Sequence, residues 1–274
     1  MDGASQKILH FGLSFLILIF AFSIWIPTAQ AFTIAKPANY LTTGSGLVGW
    51  WTFDGPDMTS NVRDRSGQGN HGYRISQTVT TVIGKIGQAL SINGSPAVGG
   101  GDMVEIGVSP EIITGRESNW TVCGWVKLDT NVTASDSGYI LYTRTNTSAF
   151  PATGSLIIYA DYSDTKATRW IVQTDTSTVH QSSTKLSPNI WYHLCHVVSN
   201  DTTLTFYLNG LQDAQMAYTE PGADGDTLHQ TIGSSYNSGN GNGNETLDGA
   251  VDDIRVYNRA LSASEIMQLY NLGR

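Results

Sequence analysis

Apolar and polar residues alternate along most of the chain in short runs, each bounded by glycine, asparagine, proline or serine. Such runs are typical of β-strands that are half-buried in a sheet. Strands are predicted over residues 47–54, 88–92, 103–106, 120–128, 139–144, 155–159, 169–173, 191–198, 203–208, 231–233 and 250–257. Their number and spacing predict an all-β protein, a sandwich or jelly roll.

The last predicted strand is followed by a short helix. Strict alternation would place Asp252 on the same face as Ile254, and Asp253 on the opposite face. Ser262 and Glu265 have the spacing of a capping box, in which the serine hydroxyl accepts from the Glu265 amide and the glutamate bonds back to the N-cap. The C-terminal segment therefore predicts one strand and one capped helix.

Two segments between the strands predict turns and loops. Leu208-Asn209-Gly210-Leu211 has the Asn-Gly pair of a two-residue hairpin turn. The segment 234–244 is nearly all serine, asparagine and glycine, and predicts a long mobile surface loop. Because no proline-rich or charged linker interrupts residues 47–272, we expect one domain there.

The N-terminal segment predicts export from the cytoplasm. Residues 11–26 are almost wholly apolar, and Ala29 and Ala31 give the small-residue pattern of a cleavage site, so residues 1–31 predict a secretory signal. Residues 32–46 then form an extended leader. The alternative is an uncleaved membrane anchor, and in either case the rest of the chain is secreted or displayed at the cell surface.

Composition narrows the classes of partner. Only 14% of the residues are charged, while glycine contributes 29, which fits many short strands joined by turns. The formal net charge is -8. Nucleic acids and anionic membrane surfaces are therefore poor partners, since both require a basic face. Contact with a membrane is expected only if the N-terminal segment stays uncleaved.

Five motifs, in order, resemble the laminin G-like jelly-roll domains of the concanavalin A-like lectin and glucanase superfamily, in its bacterial extracellular branch. The resemblance implies two antiparallel sheets packed face to face, with the N- and C-terminal strands adjacent. It does not imply one function, because such folds host lectins, adhesion modules and hydrolases. The motifs are GLVGWWTFD at 46–54, DRSGQGNHG at 64–72, GQALSING at 87–94, WYHLCHVV at 191–198 with YLNG at 207–210, and DDIRVYNRALS at 252–262.

Acidic and amide side chains in these motifs offer a candidate calcium site, and the resemblance to the family implies an arrangement of this kind. The candidate ligands are Asp54, Asp64, Asn70 and Asp252, with Asp253 as the alternative to Asp252 on the last strand. Calcium takes six to eight oxygen ligands, which Asp, Asn and free carbonyls in loops can supply. The alternative is that the loop residues form Asx turns, while backbone amides satisfy a buried Asp252.

Aromatic side chains offer a candidate sugar-binding surface. Trp51, Trp120 and Trp191 lie at strand positions that favour the core. Packing constrains the remaining candidates less, so they could stack on a sugar face. These candidates are Trp50, Trp125, Trp170 and Tyr236. Ordinary packing in the core is the alternative for each of them.

The sequence predicts no catalysis. Glucanases of this fold resemble one another in a strand of the Glu-x-Asp-x-x-Glu kind, which no stretch here matches. Asp252 and Asp253 would point to opposite faces of a regular strand, which excludes an acid and nucleophile pair. His193 and His196 divide in the same way and do not form a zinc pattern.

Cys123 and Cys195 are the two cysteines of the chain, and both lie in predicted strands. In an oxidising compartment they can form one intramolecular disulfide. Free thiols buried as small apolar groups are the alternative.

These patterns favour a secreted or surface-exposed, non-catalytic binding module. The expected partner is a glycan or a cell-surface or matrix protein, with calcium as a candidate structural ion. The alternative is a structural or adhesion protein that makes protein contacts without binding sugar.

Overall fold

The computed structural model describes residues 44–74, 79–94, 102–107, 118–130, 138–145, 156–164, 167–173, 179–219, 228–237 and 242–274. All of these belong to the compact unit Leu41–Arg274. The predicted signal at 1–31 and most of the predicted leader at 32–46 lie outside the described residues. No helix among the described residues is long and apolar enough to cross a membrane.

Sheet 1 contains eight strands in the order β13-β12-β11-β6-β17-β4-β3, with β1 also paired to β17. The pairings within it are antiparallel. Its strands are β1 (Leu47–Trp51), β3 (Thr80–Ile83), β4 (Gln88–Ile92), β6 (Trp120–Leu128), β11 (Trp191–Ser199), β12 (Thr203–Leu208), β13 (Leu211–Ala217) and β17 (Gly249–Tyr257).

Sheet 2 contains nine strands in the order β10-β9-β8-β7-β14-β5-β2, with β15 and β16 attached beside β7. Apart from one parallel bridge between β16 and β7, its pairings are antiparallel. Its strands are β2 (Tyr73–Arg74), β5 (Val104–Gly107), β7 (Gly138–Thr145), β8 (Leu156–Asp164), β9 (Ala167–Gln173), β10 (Val179–Leu186), β14 (Leu228–Ile232), β15 (Ser234–Asn237) and β16 (Asn242–Thr246).

The predicted all-β sandwich with a short C-terminal helix is confirmed. The N- and C-terminal strands are adjacent, with Leu47 opposite Tyr257. Helix α1 (Ala263–Leu272) begins with the predicted capping box, in which the Ser262 hydroxyl accepts from the Glu265 amide. The predicted hairpin turn joins β12 to β13, and Gly210 in it has φ +82°, a left-handed conformation that glycine adopts without strain.

The prediction of a long loop over 234–244 is wrong. Residues at both ends of this segment form an antiparallel hairpin, β15 with β16, in which Ser234 lies opposite Thr246. Ser234 and Ser235 are buried. The polar composition of the segment gave no sign of this pairing. The buried Ser234 hydroxyl is satisfied within the hairpin by the Thr246 hydroxyl at 3.1 Å.

The prediction that Asp252 and Asp253 point to opposite faces of β17 is also wrong. The register of β17 against β6 shifts between Asp252, opposite Trp125, and Arg255, opposite Cys123, so β17 carries one extra residue there. This β-bulge includes Asp253, which has a left-handed backbone with φ +52°. As a result Asp252 and Arg255 lie on the outer face of sheet 1, while Ile254 lies in the core between the sheets. Asp253 also faces outward, where it accepts a hydrogen bond from Trp50.

Apolar side chains form two clusters. The larger one fills the space between the sheets and includes Trp51, Trp120 and Trp170. The smaller one lies on the outer face of sheet 1, where Ile266 and Leu269 of α1 pack on it. It also includes Cys123 and Cys195, which are opposite each other on β6 and β11 and form a disulfide, as the sequence allowed. The helix therefore covers apolar surface that would otherwise be exposed.

Candidate binding cleft

The strand pairing along one side of β17 in sheet 1 is interrupted. Residues 249–251 of β17 pair with β4, and residues 254–257 pair with β1. The β-bulge of β17 lies between these two stretches. The end of β1, the start of β4 and the bulge therefore meet at one place, and a cleft opens there.

The cleft has a volume of about 510 Å³ and combines aromatic, apolar and charged side chains. This volume is within the range of small-molecule sites, roughly 300–1,000 Å³. Three acids and two arginines line it, together with one tryptophan and two apolar side chains. Its lining residues are Trp50, Thr52, Asp54, Asp57, Arg65, Ile86, Asp253, Arg255 and Leu272.

Trp50 contacts both charged residues that β17 contributes to the cleft. Its indole N–H donates to Asp253 Oδ1 at 2.5 Å. The guanidinium carbon of Arg255 lies 4.3 Å from the centre of the indole ring, a cation–π contact. Arg255 in turn pairs with Asp253, with 3.0 Å between Nε and Oδ2. Asp253 and Arg255 are buried, while Trp50 is half-buried, so the ring is held rigidly and remains partly accessible.

A second carboxylate–guanidinium pair also lines the cleft. Asp57, in the short 3-10 helix Gly55–Asp57, accepts from Arg65 Nε at 2.7 Å and pairs with the second Arg65 nitrogen at 2.7 Å. Thr52 also donates to it. Although burial alone would raise the pKa of Asp57, the hydrogen bonds from Arg65 and Thr52 hold it below its ordinary value. Asp57 is therefore charged and fixed in position.

Asp54 and Asp252 hold the loop between β3 and β4. Asp54 Oδ1 accepts from the Gln88 amide, and Asp252 Oδ2 accepts from the amides of Lys85 and Ile86. Asp252 is fully buried, and its second oxygen makes no hydrogen bond within the described structure. Burial, together with the nearby Asp253 and Asp54 carboxylates, raises the pKa of Asp252 to about 7 although the two amides oppose the shift.

The four predicted calcium ligands do not converge. Asp64 accepts four hydrogen bonds, from the amides of Trp50, Ser66 and Asn70 and from the Ser66 hydroxyl. These bonds occupy both carboxylate oxygens, so Asp64 is not available as a ligand. The Asn70 side-chain amide donates to the Val48 carbonyl, and the backbone carbonyl of Asn70 accepts from the Trp51 indole N–H. The loop 64–72 therefore ties itself to β1, as the Asx-turn alternative expected.

Two of the four predicted sugar-binding aromatics are buried. Trp125 is 1% exposed beneath the C-terminal helix, and Trp170 is 2% exposed in the core between the sheets, so neither can stack on a ligand. Tyr236 belongs to β15, and its side chain lies outside the described part of the structure. Of the three candidates whose side chains the structure describes, Trp50 lines the cleft.

Sequence reasoning missed Asp57 and Arg255 as residues of the site, and it named Asp253 only as an alternative calcium ligand. Asp57 follows a Gly-Pro pair that signals a turn, but nothing in the sequence pairs it with Arg65. The bulge that turns Asp253 outward is likewise hidden, because the strand pattern is regular on both sides of it. Trp191, expected in the core, is half-buried on the outer face, with the Lys127 ammonium 5.9 Å from its ring centre.

Comparison with known families matches residues 98–267 to a family model described as concanavalin A-like lectin/glucanases superfamily. The match covers more than half of the chain. The chain belongs to this superfamily. Comparison with curated proteins finds no match. The superfamily contains glycosidases as well as lectins, so membership leaves the chemistry of the cleft open.

Solved structures with the same fold include both binding domains and enzymes. Domain 4 of AbnA, an extracellular arabinanase from Geobacillus stearothermophilus solved in complex with arabinotriose, is 18% identical with a TM-score of 0.57, and the match covers 84% of this chain and 99% of that domain. The binding domain of Paraclostridial Mosquitocidal Protein 1 is 17% identical with a TM-score of 0.57, covering 82% and 52%. Trypanosoma rangeli sialidase with sialic acid is 17% identical with a TM-score of 0.55, covering 82% and 32%. This chain thus spans about half of the second and a third of the third.

Proposed function

We propose that this chain is a secreted or surface-exposed carbohydrate-binding module without catalytic activity, and that the cleft around Trp50 holds the ligand. The observation that carries the proposal is the half-buried Trp50 ring held beside two fixed carboxylate–guanidinium pairs. An aromatic face with a few fixed polar groups suits a sugar, whose C–H face stacks while its hydroxyls form hydrogen bonds. The arabinotriose complex of AbnA domain 4 supports this reading at the level of the fold.

Absence of catalysis is part of the proposal. Glycoside hydrolysis generally uses two carboxyl groups on either side of the scissile bond. In the cleft, Asp57 and Asp253 are each paired with an arginine, and Asp252 is fully buried. Asp54 lines the cleft without an ion pair to a described residue, so the cleft holds one acid that no described arginine pairs with. We therefore expect no release of reducing sugar.

Polysaccharide binding tests the function. We expect affinity electrophoresis in arabinan, xylan, mannan or chitosan gels to retard the protein in at least one case. Trp50→Ala should weaken that binding at least about fivefold, since stacking of a ring is worth about 1 kcal/mol. The matched control is Trp191→Ala, which removes a half-buried tryptophan outside the cleft and should bind as the unaltered protein does.

A second cleft variant guards against an effect on folding. Leu272 is 50% exposed at the end of α1, so Leu272→Glu should add a charge to the cleft wall while leaving the core intact. Binding that persists in both cleft variants would contradict the site. Failure on every polysaccharide, together with self-association in sedimentation, would favour the structural or adhesion protein instead.

Calcium is a further part of the proposal, confined to Asp54 and Asp252. The unpartnered Asp252 oxygen and the nearby Asp54 carboxylate are oxygen ligands of the kind that calcium prefers. If they hold the ion, calcium should raise the melting temperature of the unaltered protein but not of Asp252→Asn. Equal melting curves with calcium and with a chelator, in the unaltered protein, would exclude this role.

A further inference from the structure

The disulfide lies next to a third side chain that can bind metal. His193 precedes Cys195 by two residues on β11, so both side chains leave the same face of sheet 1. The Nδ1 atom of His193 lies 3.9 Å from Cys195 Sγ. Within the described part of the chain, Cys123, His193 and Cys195 are the group of metal-binding side chains whose ligand atoms all lie within 4.8 Å of one another.

We propose that, when the disulfide is reduced, Cys123, Cys195 and His193 bind a thiophilic d10 cation, Zn²⁺ or Cu⁺, in place of the S–S bond. The two thiolates and the imidazole are ligands that such ions prefer. The same pair of strands, β6 and β11, would then be cross-linked by a disulfide under oxidising conditions and by a metal ion under reducing conditions.

The distances suit one shared ion. With metal–sulfur and metal–nitrogen bonds of about 2.3 and 2.0 Å, a sulfur and a nitrogen on one ion are about 3.5 Å apart in tetrahedral geometry and about 3.7 Å apart in trigonal geometry. The separation of 3.9 Å between the His193 nitrogen and the Cys195 sulfur is larger by only a few tenths of an ångström, so a small side-chain adjustment closes it. Binding requires the two sulfurs to move apart, and reduction permits this.

The chemistry balances without any group from the rest of the protein. A dithiol reductant supplies two electrons and two protons, the S–S bond breaks to give two thiols, and the reductant becomes a disulfide. The cation then displaces both thiol protons and forms two metal–sulfur bonds. A disulfide oxidant reverses the exchange, because it removes two electrons from the thiolates, re-forms the S–S bond and releases the cation.

The Zn²⁺ and Cu⁺ complexes differ in the net charge that they would place in this buried site. The three side chains are at most 3% exposed, and Ile266 and Leu269 of α1 pack in the same cluster, so net charge is unfavourable there. Zn²⁺ with two thiolates is neutral, but it needs a fourth ligand such as water. Cu⁺ accepts three ligands and leaves one negative charge, which Arg255, opposite Cys123 on β17, offsets only in part because it is already paired with Asp253.

Metal titration of the reduced full chain under anaerobic conditions tests the inference. Zn²⁺ and Cu⁺ are each titrated in competition with a chromogenic chelator, and melting curves are recorded with a phosphine reductant. We expect one ion per chain and a higher melting temperature of the reduced protein when the ion is present. His193→Ala should weaken binding at least about tenfold, and Cys123→Ser with Cys195→Ser should abolish it.

X-ray absorption on the unaltered reduced protein keeps the test decisive if a variant fails to fold. Two sulfur ligands and one imidazole nitrogen are expected on the bound ion. Absence of binding in the reduced protein, ligation by sulfur alone, unchanged affinity in a folded His193→Ala, or equal binding with the disulfide intact would each overturn the inference.

Discussion

Single residues with unusual backbone conformations shape the cleft. Asp253 in the bulge has φ +52°, and Phe53 just after β1 has φ +57°. A left-handed conformation is tolerated by aspartate but is rare for a bulky side chain such as phenylalanine. Such conformations persist where surrounding packing imposes them, and they cluster at functional sites. Phe53 is fully buried, so its packing fixes the end of β1 from which Thr52 and Asp54 reach the cleft.

Another residue-scale feature, His196, makes the fold sensitive to acid. It is buried between Trp120 and Trp170, and its ring nitrogens make no hydrogen bond to described residues. Burial lowers the pKa of His196 from 6.5 to about 3. Below pH 6.5 the unfolded chain therefore binds a proton that the folded chain does not, and the free energy of unfolding falls by about 1.4 kcal/mol per pH unit for this group.

His196→Leu should remove this dependence. Relative to the unaltered protein, the variant should gain about 1.4 kcal/mol in free energy of unfolding for each pH unit below about 6. Urea unfolding at several values between pH 7 and 5 measures the difference. The contribution of Asp252 is the same in both proteins and cancels in the comparison. Its raised pKa of about 7 acts in the opposite direction, because the folded chain binds its proton first. Parallel pH profiles for the two proteins would contradict the assignment.

At the scale of elements, the strands inside the main path of each sheet could be predicted from the sequence, and the strands at the ends of each path could not. The alternation of apolar residues predicted β6, β12 and β4 with their observed bounds. The strands that it missed include the ends of both paths, β13 and β3 in sheet 1 and β10 and β2 in sheet 2, although β1, which pairs with β17 alone among the described strands, was predicted. An edge strand has one neighbour and more solvent, so it carries fewer apolar residues and gives a weaker period.

The C-terminal helix depends on its cap. Ser262→Ala should lower the free energy of unfolding by about 1 kcal/mol, because the Glu265 amide loses its acceptor. Chemical denaturation measures this change. Asn271→Ala, at an exposed position near the other end of the same helix, is the matched control and should be neutral within about 0.5 kcal/mol. An equal loss in both variants would show that the cap has no specific role.

For the whole molecule, the disulfide is a covalent cross-link between distant parts of the chain. It joins residues 72 positions apart, so the chain-entropy model gives about 4 kcal/mol of stabilisation. Reduction in the presence of a metal chelator should lower the free energy of unfolding by about that amount in guanidinium titrations. The Cys123→Ala, Cys195→Ala double variant should not respond to reductant. An unchanged midpoint for the unaltered protein would contradict the stabilising role.

The site was less predictable than the fold, for a physical reason. Trp50 and Asp54 could be named from β1 because strand position limits which face they occupy. Trp125 could not be recognised as buried, since its cover is a helix more than a hundred residues away, with Tyr270 5.7 Å from its ring. Likewise, Asp64 has the residue type of a calcium ligand, and only the tertiary contacts show that protein donors already occupy its oxygens.

The pairing of β1 with β17 also decides how the domain would respond to tension. Leu47, at the start of β1, lies opposite Tyr257, at the end of β17, so chain segments on either side leave from the same end of this ladder. Force applied through those segments would first detach helix α1 from the outer face of sheet 1. It would then separate the antiparallel strands one hydrogen-bonded pair at a time, without loading the whole ladder in shear. If one end were anchored to a cell and the other pulled, the two strands would unzip, and the edge of the cleft formed by Trp50 would open before the rest of the sandwich yielded.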